Sequence, residues 1–214
     1  RSTLFPYTTL FRSRTGNSPG SIASGELVVY NNVLYATAGG VNEAWSRQNN
    51  SNGIYVFKEG SWTNINRKLY SQIDSLLDLI SIAIDPKDET AWAGSYGDGL
   101  LHIKPGPSFE IYKQNVLGFA NSDPSNYRVA GLAFDSENNL WISNNGATQP
   151  LLARKSDGNF IKFSLPFVIP ENALTQILID DSNYKWIVAA KGGGLICYDH
   201  GSSIENTGDD KWKR

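Results

Sequence analysis

One short phrase occurs three times along the chain: an apolar residue and an aspartate, a turn, and then a tryptophan. The three copies pair Asp85 with Trp92, Asp135 with Trp141, and Asp180 with Trp186. The aspartates stand 50 and 45 residues apart (135 − 85 and 180 − 135), and the tryptophans 49 and 45 (141 − 92 and 186 − 141). A regular period of this size predicts a series of similar supersecondary units stacked on one another.

Each period contains several short β-prone runs separated by turn residues. In the third unit the turn Asp157-Gly158 separates two such runs, and Asp-Gly between alternating apolar residues is among the best hairpin signals. Four short strands in each period of about 40–50 residues are typical of a β-propeller blade. We predict an all-β fold, a partial β-propeller of about four four-stranded blades, the last of them incomplete. The predicted blades cover residues 25–66, 79–113, 129–164 and 174–214.

The repeated residues have physical roles in such a blade. An aspartate that ends the first strand can accept hydrogen bonds from the backbone of the next turn, as in an Asx turn. A tryptophan just beyond the turn can fill the wedge between two neighbouring blades, since an aromatic side chain buries about 150–250 Å². We therefore assign the six repeat positions a structural role.

Composition excludes several classes of function. The 214 residues carry a net charge of −2, so there is no basic patch of the kind that nucleic acids or anionic membranes require. No apolar run approaches the ~20 residues of a membrane-spanning helix. Cys197 is the single cysteine, so a disulfide framework within the chain is not expected.

The start of the chain has a different character from the rest. Residues 3–13, TLFPYTTLFRS, match the in-frame translation of a universal short-read sequencing adapter, so we expect residues 1–13 to be a foreign leader. Residues 14–24 are rich in turn formers and are expected to form a linker before the propeller at 25–214. The sequence has no methionine, from which we expect an internal piece of a longer protein.

Groups for catalysis or metal binding are sparse. His102 and His200 have no partner at a fixed spacing, and a structural role is favoured for both. Residues 135–139 alternate oxygen ligands as a calcium loop does, but they lack its central glycine and distal glutamate. The glycines at 192–194 are not followed by the Lys-Ser/Thr of a phosphate-binding loop. We expect no catalytic residue, metal or cofactor, and hence no enzyme.

The best candidates for ligand binding are Trp45, Asn144, Asn145 and Gln149. They belong to connections that vary in length between units, and extra length on one face of a repeat protein is typical of a binding face. An exposed aromatic ring beside amide groups suits a sugar, which has apolar C–H faces and a polar rim. The alternative is that Trp45 packs on its own blade and that the amides stabilise turns.

Two families resemble the repeat. The pattern over residues 177–199, with Ile177, Asp180, Trp186 and the run GGGL before Tyr198-Asp199, resembles the regulator-propeller repeat of periplasmic sensors in Bacteroidota. Residues 129–164, which contain GLAFDSENNLWISNNGA and then PLLARKSDG, are more similar to the PorZ family of the type IX secretion system. The Gly40-Val-Asn42 insertion also fits that family better.

The closer resemblance implies a non-enzymatic surface scaffold. Its ligand would be a glycan or anionic lipopolysaccharide, and its partners would include secretion-system proteins such as the sortase that attaches exported cargo. The resemblance also implies an extracytoplasmic location, at the cell surface or in the periplasm. The alternative is the sensory ectodomain of a hybrid two-component regulator that detects oligosaccharides. A hydrolase propeller is the third reading.

Overall fold

A computed structural model describes residues 17–21, 25–106 and 108–214. The predicted leader at 1–13 lies outside the described residues, as does most of the predicted linker. The described residues form an all-β protein with three short 3₁₀ helices, at Ser71–Ile73, Pro170–Asn172 and Thr207–Asp209.

The strands follow one another in groups of four. The first group contains β1 (Leu27–Tyr30), β2 (Val33–Thr37), β3 (Ile54–Lys58) and β4 (Ser61–Ile65). The second contains β5 (Leu79–Ile84), β6 (Ala91–Gly97), β7 (Gly99–Lys104) and β8 (Ser108–Tyr112). The third contains β9 (Tyr127–Phe134), β10 (Leu140–Asn144), β11 (Leu151–Arg154) and β12 (Phe160–Phe163). The fourth contains β13 (Leu174–Ile179), β14 (Lys185–Ala189), β15 (Gly194–Asp199) and β16 (Lys211–Lys213).

Within each group every strand pairs antiparallel with the next one along the chain. The first and fourth groups are separate four-stranded sheets. The second and third groups are also joined to each other, because the end of β6 pairs with the start of β9 at Tyr96↔Arg128 and Gly97↔Tyr127. They therefore form one eight-stranded sheet.

The first strands of the four groups converge. β1 contacts β5, β5 contacts β9, and β9 contacts β13. Together they line one open cavity of about 690 Å³, whose walls include residues 25–28, 82–84, 132–134 and 176–179. The antiparallel sheets thus curl around a common centre, as in part of a β-propeller.

The turn after β9 is organised by Asp135. One carboxylate oxygen, Oδ1, accepts hydrogen bonds from the backbone N–H groups of Glu137 at 3.0 Å and Asn139 at 2.8 Å. The other oxygen, Oδ2, accepts a hydrogen bond from Nε1 of Trp141 at 2.8 Å. One buried carboxylate therefore fixes both the turn and the orientation of the indole that follows it.

Asp180 repeats the arrangement one group later. Its Oδ1 accepts from the backbone N–H groups of Ser182 and Tyr184, both at 2.9 Å, and its Oδ2 accepts from Nε1 of Trp186 at 2.8 Å. In both copies the tryptophan stands six residues after the aspartate (141 − 135 and 186 − 180). This spacing places the indole N–H opposite the free carboxylate oxygen.

The copy at Asp85 differs because its turn is one residue longer, and Trp92 stands seven residues away (92 − 85). Asp85 still accepts the Lys87 N–H at 2.8 Å, but Nε1 of Trp92 has no hydrogen-bond partner among the described residues. The ring instead stacks on His102, with centroids 3.8 Å apart, and the Arg154 guanidinium lies 4.8 Å from its centroid. One inserted residue thus replaces a hydrogen bond with ring stacking.

The repeated tryptophans fill the space between neighbouring groups of strands. Trp141 is fully buried and belongs to a core that joins Leu151 of the third group to Ile177 and Ile196 of the fourth. Trp186, the equivalent residue of the fourth group, is 37% exposed. No strand in the described part of the chain covers its face, which also exposes Leu178, Val188 and Leu195.

The difference between Trp92 and Trp141 predicts a difference in stability. Both rings are fully buried, and each has a cation 4.8 Å from its centroid, Arg154 for Trp92 and Lys185 for Trp141. Replacing either by phenylalanine removes similar apolar area, but only Trp141→Phe also removes a hydrogen bond to a carboxylate. We expect Trp141→Phe to lower the free energy of unfolding by about 1–2 kcal/mol more than Trp92→Phe. Urea unfolding of the two variants measures this difference, and equal losses would contradict it.

Candidate functional site

Two connections meet at the end of the molecule opposite the aspartate turns. Residues 118–122 belong to the connection from β8 to β9, and residues 146–149 to the connection from β10 to β11. The N–H of Asn121 donates to the carbonyl of Gly146 at 2.8 Å, and the hydroxyl of Thr148 donates to Oδ1 of Asn121 at 3.1 Å. These bonds join the two segments side by side.

Small residues permit this close approach. A Cβ atom on Gly118 would lie 3.0 Å from the Cβ of Ala147, and one on Gly146 would lie 3.2 Å from the Cβ of Ala120. Gly146 also has a φ of 82°, in the left-handed region that favours glycine. A larger residue at either glycine would push the two segments apart.

Two clefts lie along the paired segments. The first, here called the Phe119 cleft, has a volume of about 110 Å³ and is lined by Gly118, Phe119, Thr148, Gln149 and Lys162. The second, the Glu171 cleft, has a volume of about 340 Å³ and is lined by Asn121, Ser122, Gly146, Ile169, Glu171 and Asn172. The hydrogen bond between Thr148 and Asn121 connects a wall of one cleft to a wall of the other.

The Phe119 cleft combines an apolar ring with polar groups. The Phe119 side chain is 47% exposed, and Thr148, Gln149 and Lys162 are exposed beside it. Among the described residues no carboxylate forms an ion pair with Lys162, whereas Lys155 in the same group pairs with Glu205 at 2.6 Å. This cleft therefore offers a ring face, an amide and an available positive charge.

The Glu171 cleft has strained walls and a carboxylate. Glu171 and Asn172 are consecutive non-glycine residues with φ values of 52° and 48°. Residues held in this region cost of order 1–3 kcal/mol each and are common in ligand sites. The Glu171 carboxylate accepts a hydrogen bond from Nζ of Lys191 at 2.6 Å, and Nδ2 of Asn172 donates to the carbonyl of Ala147 at 3.0 Å.

Asn144, one of the sequence-predicted candidates, is fully buried beneath the Phe119 cleft. Its Oδ1 accepts the backbone N–H of Gly118 at 2.7 Å, and its Nδ2 donates to the carbonyl of Arg128 at 3.3 Å. The side chain therefore holds the segment that carries Phe119. Direct ligand contact by Asn144 stays a prediction.

Asn145 is also buried, and it bridges three groups of strands. Its Nδ2 donates to the carbonyl of Leu174 at 2.8 Å, and its Oδ1 accepts the hydroxyl of Tyr96 at 3.2 Å. Its backbone N–H donates to the carbonyl of Arg128 at 2.9 Å. These bonds fix the start of the connection from β10 to β11. A ligand contact by Asn145 likewise stays a prediction.

Trp45 lies in the connection between β2 and β3, partly exposed, with a φ of 57°. Oδ1 of Asn42 accepts the backbone N–H groups of Ala44 at 3.0 Å and Ser46 at 2.9 Å, which fixes a tight loop around the tryptophan. Trp45 lines neither cleft, whereas Gln149 lines the Phe119 cleft. The structure thus brings Gln149 and the two asparagines together, but not Trp45.

The Trp45 loop is tied to the second group of strands by Arg47. The Arg47 guanidinium forms an ion pair with Asp98, lies 3.7 Å from the Asp78 carboxylate, and donates to Oδ1 of Asn126 at 3.2 Å. The buried Asp78 also accepts the backbone N–H groups of Asn49 and Asn50. These contacts hold the loop at the end of the molecule that carries the clefts.

Phe119 and Lys162 were not among the sequence-predicted residues. The long connection over residues 114–128 marks that region as part of a binding face, but an aromatic residue in a loop gives no sign of its exposure. Lys162 lies on β12, 43 residues from Phe119 (162 − 119), and only the fold brings the two together.

Both histidines are buried in structural contacts. Nε2 of His102 lies 2.8 Å from the Thr90 hydroxyl, and Nδ1 of His200 lies 2.6 Å from Nζ of the fully buried Lys185. Burial, together with the positive charges of Lys104 and Arg154, lowers the pKa of His102 to about 4. A neutral, stacked imidazole is therefore the stable form of His102 near neutral pH.

The described residues, 17–21, 25–106 and 108–214, include both acidic side chains and side chains that can bind metals. They contain no cluster of three or more histidine, cysteine, aspartate or glutamate residues suited to a metal ion. Among their helices none has the length and apolarity needed to cross a membrane.

Solved structures of low sequence identity share this fold. PorZ, an essential bacterial surface component of the type IX secretion system of Porphyromonas gingivalis, is 23% identical, with a TM-score of 0.78. The match covers 92% of this chain and 28% of PorZ. The chain therefore spans little more than a quarter of that protein's length.

Two further structures have other roles. A catalytically inactive virginiamycin B lyase from Staphylococcus aureus, solved with quinupristin, is 12% identical with a TM-score of 0.62, over 90% of this chain and 55% of the lyase. The extracellular domain assigned to a hybrid two-component system of B. thetaiotaomicron is 15% identical with a TM-score of 0.54, over 80% of this chain and 21% of that domain. No protein-family model and no curated protein matches the chain.

The environment of His102 predicts a pH dependence of stability. Its pKa is lowered in the folded state from the ordinary 6.5 to about 4, so between these values the unfolded chain binds a proton that the folded chain does not. The free energy of unfolding should therefore fall as the pH is lowered through this window. Replacing His102 by glutamine should flatten the fall between pH 6.5 and 5, where few carboxylates titrate. Urea unfolding at several pH values measures both slopes, and identical slopes would exclude His102 as the cause.

Proposed function

We propose that the chain is part of a non-catalytic β-propeller scaffold that acts outside the cytoplasm in type IX secretion. The scaffold binds a glycan, such as anionic lipopolysaccharide, and partner proteins of the secretion system such as the sortase. The observation that carries this proposal is the likeness of fold to PorZ over 92% of the chain, at a TM-score of 0.78. The same likeness to a surface protein supports an extracytoplasmic location.

Four propeller blades, the last incomplete, are part of the proposal. It is supported by the four groups of consecutive strands and by the convergence of β1, β5, β9 and β13. It is also supported by the apolar faces left exposed at Leu27 and Val29 of the first group, and at Leu178 and Leu195 of the fourth. Trp141 is buried because the fourth group covers its face of the third group. We therefore propose that further blades cover the exposed apolar faces of the first and fourth groups.

A non-enzymatic role is supported by the positions of the polar groups. His102 and His200 bond inside the protein, and the clefts at the connection end contain one carboxylate, Glu171, which is paired with Lys191. Acid–base hydrolysis of a glycoside requires two carboxyl groups across the scissile bond. The lyase that shares the fold shows that such sheets also support enzymes, so the proposal rests on this chain's own residues.

Glycan binding is supported by exposed aromatic and amide groups at the connection end. Trp45 and Phe119 are both accessible there, and Gln149 lies beside Phe119. Ring faces stack on the C–H faces of sugars, and amides bond hydroxyl groups as donors and acceptors.

The second candidate function is the sensory ectodomain of a hybrid two-component regulator that detects an oligosaccharide. It is favoured by the likeness to the extracellular domain from B. thetaiotaomicron, although the TM-score of 0.54 is below that of PorZ. The coding sequence on either side separates the two. A membrane-spanning helix followed by a kinase core would support the sensor, and a C-terminal sorting domain would support the secretion component.

The glycan-binding proposal is tested with lipopolysaccharide purified from a Bacteroidota strain that has type IX secretion. We expect saturable binding of the protein to immobilised lipopolysaccharide, and we expect Trp45→Ala to weaken it about tenfold, which corresponds to ~1.4 kcal/mol of lost stacking. Tyr184→Ala is the control, because Tyr184 is 39% exposed in an aspartate turn at the opposite end. Absence of binding would contradict the function, and equal effects of the two variants would show that Trp45 does not contact the ligand.

A further inference from the structure

The two clefts at the connection end have adjoining walls and differ in charge. The Phe119 cleft contains Lys162 and no carboxylate, and the Glu171 cleft contains a carboxylate already paired with Lys191. Between them lies the hydrogen bond from Thr148 to Asn121. We propose that the clefts are two adjoining subsites for one oligosaccharide chain, with an anionic unit over Phe119 and a neutral, hydroxyl-rich unit against Glu171. This inference rests on the proposed glycan-binding function.

The Phe119 subsite suits one face of a sugar ring rather than a whole ring. Its volume of about 110 Å³ is below the ~300 Å³ at which enclosed ligand sites begin. The 47%-exposed phenylalanine supplies an apolar surface, and the exposed Gln149 and Thr148 supply donors and acceptors at its edge. A sugar unit therefore lies on this cleft with its other face in solvent.

Lys162 gives this subsite its preference for an anion. Two other lysines of the third and fourth groups are neutralised, since Lys155 pairs with Asp157 and Glu205, and Lys191 pairs with Glu171. Lys162 has no such partner among the described residues, and it lines the Phe119 cleft. A phosphate or carboxylate on the sugar forms the ion pair that Lys162 lacks.

The Glu171 subsite is built differently. Its volume of about 340 Å³ is large enough to take most of a ring, and its polar walls contain Asn121, Ser122 and Asn172 above an apolar contact with Ile169. Carboxylate and amide oxygens accept hydrogen bonds from neighbouring hydroxyl groups. Because the Glu171 carboxylate is paired with Lys191, an anionic unit gains no unpaired positive charge here and gains one only at Lys162, which sets the direction of the bound chain.

The backbone at this subsite is held in an unfavourable conformation by specific bonds. Glu171 and Asn172 both have positive φ values, and Asn172 is fixed on both sides: its carbonyl accepts the N–H of Gly146 at 3.0 Å, and its Nδ2 donates to Ala147. These bonds, together with the ion pair to Lys191, keep the Glu171 side chain at the cleft beside the segment that carries Phe119. The two subsites are thus fixed relative to each other before a ligand binds.

The inference is tested with fragments produced by partial acid hydrolysis of the polysaccharide from the same lipopolysaccharide and separated by chain length, from single sugar units upward. Each fraction is divided into an untreated portion, a dephosphorylated portion and a carboxyl-reduced portion, and affinities for the protein are measured by calorimetry. The untreated fractions should bind most tightly, and whichever treatment removes the charge should weaken binding about fivefold. Fractions of two or more units should bind at least tenfold more tightly than single units, because only they reach both subsites.

Variants separate the subsites. Phe119→Ala should weaken every fraction about tenfold, and Lys162→Gln should weaken the untreated fractions about fivefold while leaving the charge-depleted fraction unchanged. Glu171→Gln should weaken the longer fractions and leave the single units unaffected. Lys155→Gln is the charge-matched control for Lys162, and unchanged urea midpoints of Phe119→Ala and Lys162→Gln show that these variants remain folded.

Three results would overturn the two-subsite assignment while the glycan function stands: unchanged affinity in Phe119→Ala, equal losses in Lys162→Gln and Lys155→Gln, or equal binding of single units and longer chains. If the unsubstituted protein binds neither the lipopolysaccharide nor any fraction, the glycan function itself fails and the assignment fails with it.

Discussion

The hydrogen bond between a turn aspartate and the following tryptophan sets the geometry on which the rest of the structure depends. At Asp135 one oxygen orders the turn and the other holds the indole of Trp141 at 2.8 Å. The indole then fills the space between the third and fourth groups of strands. Because Trp92 and Trp141 each fill the space toward the next group, the second, third and fourth groups lean against one another around a common cavity rather than extending as a flat sheet.

This packing decides which end of the molecule carries the variable connections and the candidate site. The aspartate turns occupy one end; they are short, and their backbone N–H groups bond the aspartate carboxylates. The connections that vary in length lie at the other end. There Gly118 and Gly146 let two connections approach closely, and Asn144 holds the Phe119 segment from below. The buried asparagine amides therefore build the walls of the site, and exposed side chains supply the groups that face solvent.

Much of the fold is predictable from the sequence because the repeat is local. The short segment from Asp135 to Trp141 predicts both the Asx turn and the tryptophan that packs against the next group. The strands lie where runs of apolar residues predict them. The site is less predictable, because Phe119 and Lys162 meet only through the packing of β12 against a distant connection. An asparagine such as Asn145 looks the same in sequence whether it faces a ligand or bridges Tyr96 and Leu174, as it does here. The single extra residue before Trp92 is visible in the sequence. The stacking of Trp92 on His102, however, depends on the tertiary structure.

The most direct test of this account is an experimentally determined structure of the protein that gives the relative placement of β1, β5, β9 and β13. We expect these strands to line one cavity, with the Trp141 indole buried against the fourth group and bonded to Asp135. We also expect the Phe119 and Glu171 clefts at the end opposite the aspartate turns. Four strands lying in a single flat sheet, with Trp141 exposed to solvent, would contradict the account.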